Sequence, residues 1–380
     1  MAALQLASLI AHVRTGTVSP CARRSHAMAA SSPSSPPAAT PRFIDIGANL
    51  IDRMFEGEYR GKQAHPADLL AVLERAAAAG VDRVVVTAGS LEDSIEAVRL
   101  VRASHARSPR LYATVGVHPT RCLEFLPEGA RSEVEALMVG HAEAGGGAPS
   151  DTFAAAEEAI LSRRDVRDAR DAHIARLRAV LRDAAADGCV VAVGECGLDY
   201  ERLHFCPAGR FGFEAQLALC AEFGLPAFLH NRNTAGDFAA VCKARRALIP
   251  SGVVHSFDGD AAELRELLDL GLDIGLNGCS LKTAANLAVA SQVPLQRLHL
   301  ETDAPWCGIK RTHAGFQYVQ PSAWPETKKE KWVEGSCVKD RCEPCHIVQV
   351  AQVVAGARDI DVSIVTEHAY ANSLRVFFQK

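Results

Sequence analysis

The sequence predicts an α/β fold, a (β/α)8 TIM barrel, on three observations: eight short apolar runs, amphipathic stretches between them, and His or carboxylate residues where the runs end. The chain has 380 residues. A plain barrel needs ~250, so one barrel with extensions fits. Hydrophobic residues make up 48% of the chain, enough for a large core.

The runs are residues 43–47, 83–88, 111–117, 190–194, 226–229, 252–254, 273–276 and 298–300. They are apolar almost throughout and rich in β-branched residues, as strands buried on both faces require. Helical periodicity covers 66–79, 90–103, 174–187, 213–223, 261–270 and 281–291. Glycines near several run ends suit tight connections. Strand and helix in alternation imply a parallel sheet with its outer face covered. Eight such units favour closure over an open doubly wound sheet.

Three segments break the rhythm. Residues 1–42 are rich in Ala, Ser and Pro, carry Arg14, Arg23, Arg24 and Arg42, and precede the first acidic residue, Asp45. That composition predicts a transit peptide for chloroplast or mitochondrion. The alternative is a disordered extension with a start at Met28, which would leave the protein in nucleus or cytoplasm. The barrel domain is then 43–380. Residues 139–172 are Ala-, Gly- and charge-rich and read as a variable surface insertion, partly disordered. The mixed signs of 163–170 indicate a solvated helix face rather than a nucleic-acid patch. Residues 306–345 form a long excursion after the last run. Its Lys328, Lys329 and Lys331 alternate with Glu326, Glu330 and Glu334, a weak basis for a phosphate site.

A net charge of −4 argues against a protein that coats nucleic acid through bulk positive charge, but leaves room for a local basic rim. No apolar run reaches the ~18 residues of a membrane span, so no transmembrane helix is predicted. The 12 cysteines come without a secretory signal, which argues against a disulfide framework. Cys342 and Cys345 form a C-x-x-C with Cys337 and His346 nearby. Such a pair can bind zinc, but a structural site usually has a second pair at defined spacing. Free thiols near the surface are therefore expected.

The chemistry lies at the run ends. They read Gly116-Val-His118-Pro119, Gly194-Glu195-Cys-Gly197-Leu-Asp199, His230-Asn-Arg232, His255-Ser-Phe257 and Glu301-Thr-Asp303-Ala-Pro305. In a barrel the strand C-termini share one rim, where active sites sit, so these residues should converge. Singly, each His or Glu would be a hydrogen-bonded or solvated structural residue. Four at the ends of successive strands point to a metal site. His230, His255, Glu195 and Asp303 offer nitrogen and carboxylate ligands for one or two divalent ions, Mg, Mn or Zn. Glu195 is the candidate bridge between two ions. Asp303 could hold an ion and orient or deprotonate an attacking water. No Gly-x-Ser-x-Gly elbow or phosphate-cradling Gly-x-x-x-x-Gly-Lys-Ser/Thr occurs. Strand alternation turns Cys196 away from Glu195. Hydrolysis by metal-activated water is the simplest reading.

At these residues the sequence resembles the TatD family of metal-dependent deoxyribonucleases, over about 43–378 without the insertion. The signatures are Asp45-Ile-Gly47-Ala-Asn49-Leu, the five run ends above, and Val254-His255-Ser-Phe-Asp-Gly259. Asn277-Gly-Cys-Ser-Leu-Lys282 and Lys310-Arg-Thr-His-Ala-Gly315 resemble the eukaryotic branch, including its plant members. The resemblance implies a TIM barrel of the metal-dependent hydrolase type, with DNA as substrate. It implies ligand roles for Glu195, His230, His255 and Asp303 and a pocket role for His118. Catalysis is assigned to Asp303, Glu195 and His118, and substrate contact to Arg232 and Asn49.

Three departures from the family pattern stand out. Many members carry His-x-His on the first strand, where this chain has Gly47 and Asn49; a branch shares the Gly-x-Asn form. A late Arg-Asn-Glu-Pro motif reads Arg341-Cys342-Glu343-Pro344. Asn231 and Asn233 flank Arg232, whose guanidinium suits bidentate phosphate contact or, alternatively, a salt bridge to a rim carboxylate. A barrel mouth suits a chain end or single strand, so exonuclease action is expected. An amide or ester hydrolase of the same superfamily, such as an aminoacyl-tRNA deacylase, and a non-catalytic binding protein are the alternatives. The sequence sets no oligomeric state.

Overall fold

Eight parallel strands pair in sequence order: β1 (Phe43–Ala48), β2 (Val81–Val86), β3 (Arg110–Val115), β4 (Val190–Asp199), β5 (Ala227–Arg232), β6 (Gly252–Val254), β7 (Asp273–Leu276) and β8 (Leu298–Leu300). The computed structural model describes residues 41–143, 151–201 and 207–379. The seam between the last and first strands closes just beyond β8. There Ala48 bridges Ala304, Asp303 N–H donates to Gly47 O (2.8 Å) and Asn49 N–H donates to Ala304 O (2.6 Å). The sheet is thereby a barrel, as eight repeats predicted.

The helices are α1 (Leu69–Ala78), α2 (Leu91–Ala103), α3 (Glu128–Glu143), α4 (Asp151–Leu161), α5 (Arg164–Ala185), α6 (Pro207–Phe223), α7 (Asp237–Ala244), α8 (Ala261–Asp269), α9 (Ala284–Ala290), α10 (Ile347–Arg358) and α11 (Val362–Ser373). Side-chain caps start several of them. Ser90 accepts from Asp93 N–H, Asp260 from Ala262 and Glu263 N–H, and Thr283 with Asn286 forms a capping box.

Side-chain alternation sorts the strands into two apolar layers. On β2, Val84 and Val86 face the helices, while Val85 joins Ile44, Ile46, Tyr112, Val191, Phe228 and Val253 inside the barrel. Phe377, in the turn Leu374–Phe378, joins this inner cluster, and Phe378 packs edge-on to Tyr112 at 4.6 Å. On β5, Ala227 and Leu229 face outward and Phe228 inward. The same phase carries His230 inward. Val253 sets His255 inward in the same way.

β4 is 10 residues long and ends at Asp199, and β5 ends at Arg232, both beyond the expected 190–194 and 226–229. Glu195 and His230 therefore lie within strands. Their ladder pairs Gly197 with His230 and Asp199 with Arg232. Gly197, at φ 152°, permits this approach, because a side chain there would collide with the His230 carbonyl.

The stretch expected to be a partly disordered insertion is helical over α4 and the start of α5; residues 144–150 lie outside the described residues. Its charges pair locally as on a solvated helix face, with Arg163 on Glu133 (2.7 Å) and Asp165 (2.8 Å) and Arg164 on Asp168 (3.6 Å). The excursion docks on the barrel. Trp332 stacks on His65 at 5.6 Å, Lys329 lies 4.6 Å over Tyr59, and Arg341 pairs with Asp68 and Glu343. Cys337, Cys342 and Cys345 are unbonded but fully buried, not near the surface as expected. The turn Pro344–His346, which includes Cys345, packs against α1. The leader through residue 40 lies outside the described residues, and Arg42 is already tied to Asp82 (2.5 Å). Among the described residues no helix is long and apolar enough to cross a membrane.

Candidate active site

Three imidazoles fan around one oxygen of Glu195. Oε1 lies 2.6 Å from His255 Nε2, 2.9 Å from His230 Nδ1 and 3.2 Å from His118 Nε2. Glu195 and His230 sit on adjacent strands, His255 directly follows β6, and His118 follows β3. All four side chains are buried or nearly so. Phe228 forms the floor, its ring stacked 4.8 Å from that of His255.

The far sides of the rings decide what each can do. His230 Nε2 lies 3.1 Å from Asp199 Oδ2, an acceptor, so in the neutral ring the proton is on Nε2 and Nδ1 turns a lone pair toward Glu195. His255 Nδ1 faces Glu301 Oε2 at 3.6 Å, and both atoms are buried without a hydrogen-bond partner. A small approach pairs them and turns the Nε2 lone pair inward. His118 is the opposite case. Its Nδ1 accepts the Thr120 N–H (3.1 Å), so Nε2 carries the proton and donates toward Glu195. The network thus separates two ligand-type histidines, each backed by a carboxylate, from one donor-type histidine.

Lone pairs cannot face a carboxylate at these distances without a cation or protons between them. Electrostatics agree. Burial opposes charge at Glu195 and His255, yet their mutual attraction prevails. It holds the Glu195 carboxyl well below, and His255 well above, their ordinary ranges. Burial lowers His118. The donor set fits a divalent ion: the cluster accepts either protons or a metal.

Asp303 stands beside this fan rather than in it, within electrostatic reach of His255 and Glu195. Oδ1 accepts from Asn49 Nδ2 (2.8 Å) and Oδ2 from the Cys307 thiol (3.1 Å), which itself lies 2.8 Å from Cys279 Sγ. Burial pushes the Asp303 carboxyl up to about 6. Asn49 is engaged at both ends, since its Oδ1 accepts from Thr87 Oγ1 (2.8 Å). Arg232 is held bidentately by Glu201 at 2.5 and 3.0 Å, the salt bridge weighed as its alternative. Gly47 matters by its bareness: a Cβ there would lie 2.7 Å from Glu301 Oε2. Arg341 is buried among Asp68, Glu343 and Phe55, so this arginine serves packing. Asn231 bonds Glu263 (2.7 Å), which accounts for a polar residue there.

Sequence reasoning quoted Asp199 and Glu301 in the run-end motifs without giving them a role, and missed Thr120, Cys307 and Cys279. The alternation Glu195-x-Gly-x-Asp199 on one strand could have placed Asp199 on the same side as Glu195.

A family model described as TatD related DNase matches residues 44–378. The chain belongs to this TatD-related family. A deoxyribonuclease Tat-D of Schizosaccharomyces pombe is 37% identical over 88% of this chain and 95% of its own length. A 3'-5' ssDNA/RNA exonuclease TatD of Edwardsiella piscicida is 29% identical over 88% of this chain and 99% of its own. The crystal structure of a TatD-family hydrolase from Entamoeba histolytica superposes with a TM-score of 0.73 at 30% identity, covering 90% of this chain and 99% of that one.

Proposed function

We propose that this TatD-family chain is a metal-dependent deoxyribonuclease that hydrolyses phosphodiester bonds, acting from a chain end. The observation that carries the reading is the fan on Glu195, with two carboxylate-backed histidines whose lone pairs converge where a cation belongs. Glu195, His230 and His255 would hold the ion together with Asp303, which reaches it from beside the fan. When bound, a divalent ion supplies Lewis-acid polarisation of the phosphoryl oxygen and lowers the pKa of water.

The chain's own groups do the rest. Among the described residues Asp303 Oδ2 has only a weak thiol donor, so it is the oxygen that accepts the proton of the attacking water. Asn49 fixes Oδ1 and with it the direction of that acceptance. His118 keeps Nε2–H pointed into the site and donates to phosphoryl oxygen as charge builds there. Arg232 reaches a phosphate only by exchanging Glu201 for it. Trp306 is 53% exposed and its backbone N–H donates to the Asp303 carbonyl (2.9 Å), so its indole offers a stacking face for an unpaired base next to the chemistry.

The test is cleavage of end-labelled single-stranded DNA by the purified chain with EDTA, Mg²⁺ or Mn²⁺, beside Glu195→Ala, Asp303→Asn and Trp306→Ala. Metal-dependent shortening from one end is expected, abolished by the first two variants. Trp306→Ala should raise KM more than it lowers kcat. A folded, metal-loaded wild type that leaves DNA intact yet cleaves charged tRNA or amides would overturn the nuclease reading.

A further inference from the structure

We propose that Cys337, Cys342, Cys345 and His346 form a zinc site of their own, structural rather than catalytic. One ligand atom from each of Cys337, Cys345 and His346 lies within 4.8 Å of the other two. Tetrahedral zinc, with bonds of about 2.3 Å to sulfur and about 2.0 Å to nitrogen, brings such atoms together at similar spacing. The Cys342 sulfur lies outside this trio, 3.8 Å from Thr302 O and 4.0 Å from Glu343 O, and would complete the set by rotating toward His346. The C-x-x-C of 342–345 has no second pair in sequence; the fold supplies one in Cys337 and His346.

Burial and charge support ligation. Cys337, Cys342 and Cys345 are 0%, 4% and 2% exposed, an unusual gathering of thiols to seal inside a turn. Arg75 is buried beside them, and among the described residues its Nη2 has no hydrogen-bond partner. Glu343 Oε2 lies 3.6 and 3.9 Å from two of the sulfurs but is held by Arg75 Nε (2.8 Å), so the carboxylate balances arginine rather than ligating. His346 Nδ1 accepts the Glu343 N–H (3.0 Å), a bond that an ion on that nitrogen would displace.

All four positions come from protein, which marks a structural site. Its place shows what it would secure. Cys342 N–H donates to Pro305 O (2.9 Å) and its sulfur lies 3.8 Å from Thr302 O. The ion would staple the 306–345 excursion to α1 and to the segment carrying Asp303.

Zinc K-edge X-ray absorption of the zinc-loaded full chain tests this, with metal counted per chain. A sulfur shell at about 2.3 Å is expected. It should persist in His255→Ala, which damages the catalytic cluster, and in Cys307→Ser, which removes the thiol beside Asp303. It should vanish in Cys337→Ser/Cys345→Ser, and Cys342→Asn should lower the sulfur count from three to two. If the double variant does not fold, wild type, His255→Ala and Cys342→Asn still decide. A shell of nitrogen and oxygen alone, or loss of all zinc with His255→Ala, overturns the proposal.

Discussion

Replacing Asp199 by Asn tests how His230 is prepared as a ligand. Asp199 is 2% exposed, and its Oδ2 lies 3.1 Å from His230 Nε2 while Oδ1 accepts the Glu201 N–H. The carboxylate fixes the proton on Nε2 and makes Nδ1 a better donor. Removing such a carboxylate behind a ligand histidine typically costs about 10–100-fold in metal affinity, or ~1.4–2.7 kcal/mol. Asn preserves the shape and can still accept through its amide oxygen, so Asp199→Asn belongs near tenfold and Asp199→Ala near the upper end. Glu195 and His255 are untouched, so saturating Mn²⁺ should restore most of kcat. Calorimetric Mn²⁺ titration with metal-dependent rates on single-stranded DNA reads both effects. Wild-type affinity in Asp199→Ala, or a kcat loss that excess metal does not repair, would refute the assignment of His230 Nδ1 as a ligand.

Three further outcomes follow from the same geometry. Cys307→Ala deprives the buried Asp303 carboxyl of a donor that lowers its pKa, so the acidic limb of the kcat/KM profile should move to higher pH; Cys307→Ser should restore it, and identical profiles would exclude the contact. Burial sets the metal-free Asp303 carboxyl at about 6, so Mn²⁺ must displace its proton below that pH. Affinity should fall by up to about tenfold per pH unit there, seen by titration at stepped pH. Asp273 is opposed by burial but held below its ordinary range by His299, Arg297 and Arg375, so its folded pKa is depressed. Its stabilisation is present above about pH 4 and is lost as pH falls through the folded value. Melting temperatures taken from neutral pH downward should therefore drop less steeply in Asp273→Asn than in the wild type.

The barrel was legible because strand and helix periodicities differ and because eight apolar runs survive inspection. β6, β7 and β8 begin and end where their apolar runs do. β4 and β5 were underestimated because Glu195, Asp199, His230 and Arg232 are polar and look like loop chemistry, although ladder bonds carry them. Convergence of Glu195, His230 and His255 followed from strand polarity alone. What each ring nitrogen faces did not, since that depends on Asp199, Glu301 and Thr120 meeting the rings across strands. The thiol on Asp303 was equally hidden. Cys307 lies in an irregular segment with no period to set its side.

Asn49 illustrates how such a contact changes an assignment. In place of a histidine ligand, β1 leads to an amide that bonds Asp303 Oδ1, reaches Ala304 O at 3.3 Å and accepts from Thr87. Its donors and acceptor are engaged within the protein, so strand 1 orients a ligand instead of supplying one. A hydrogen bond to a charged group contributes about 1.5–3 kcal/mol, so Asn49→Ala should weaken Mn²⁺ binding by roughly 10–100-fold. The decisive comparison is a double-mutant cycle with Asp303→Ala, read as metal affinity. If Asn49 acts through Asp303, Asn49→Ala costs little once Asp303 is gone. An equal cost in both backgrounds would return Asn49 to the role read from sequence, direct contact with substrate, and would make its bond to Asp303 incidental.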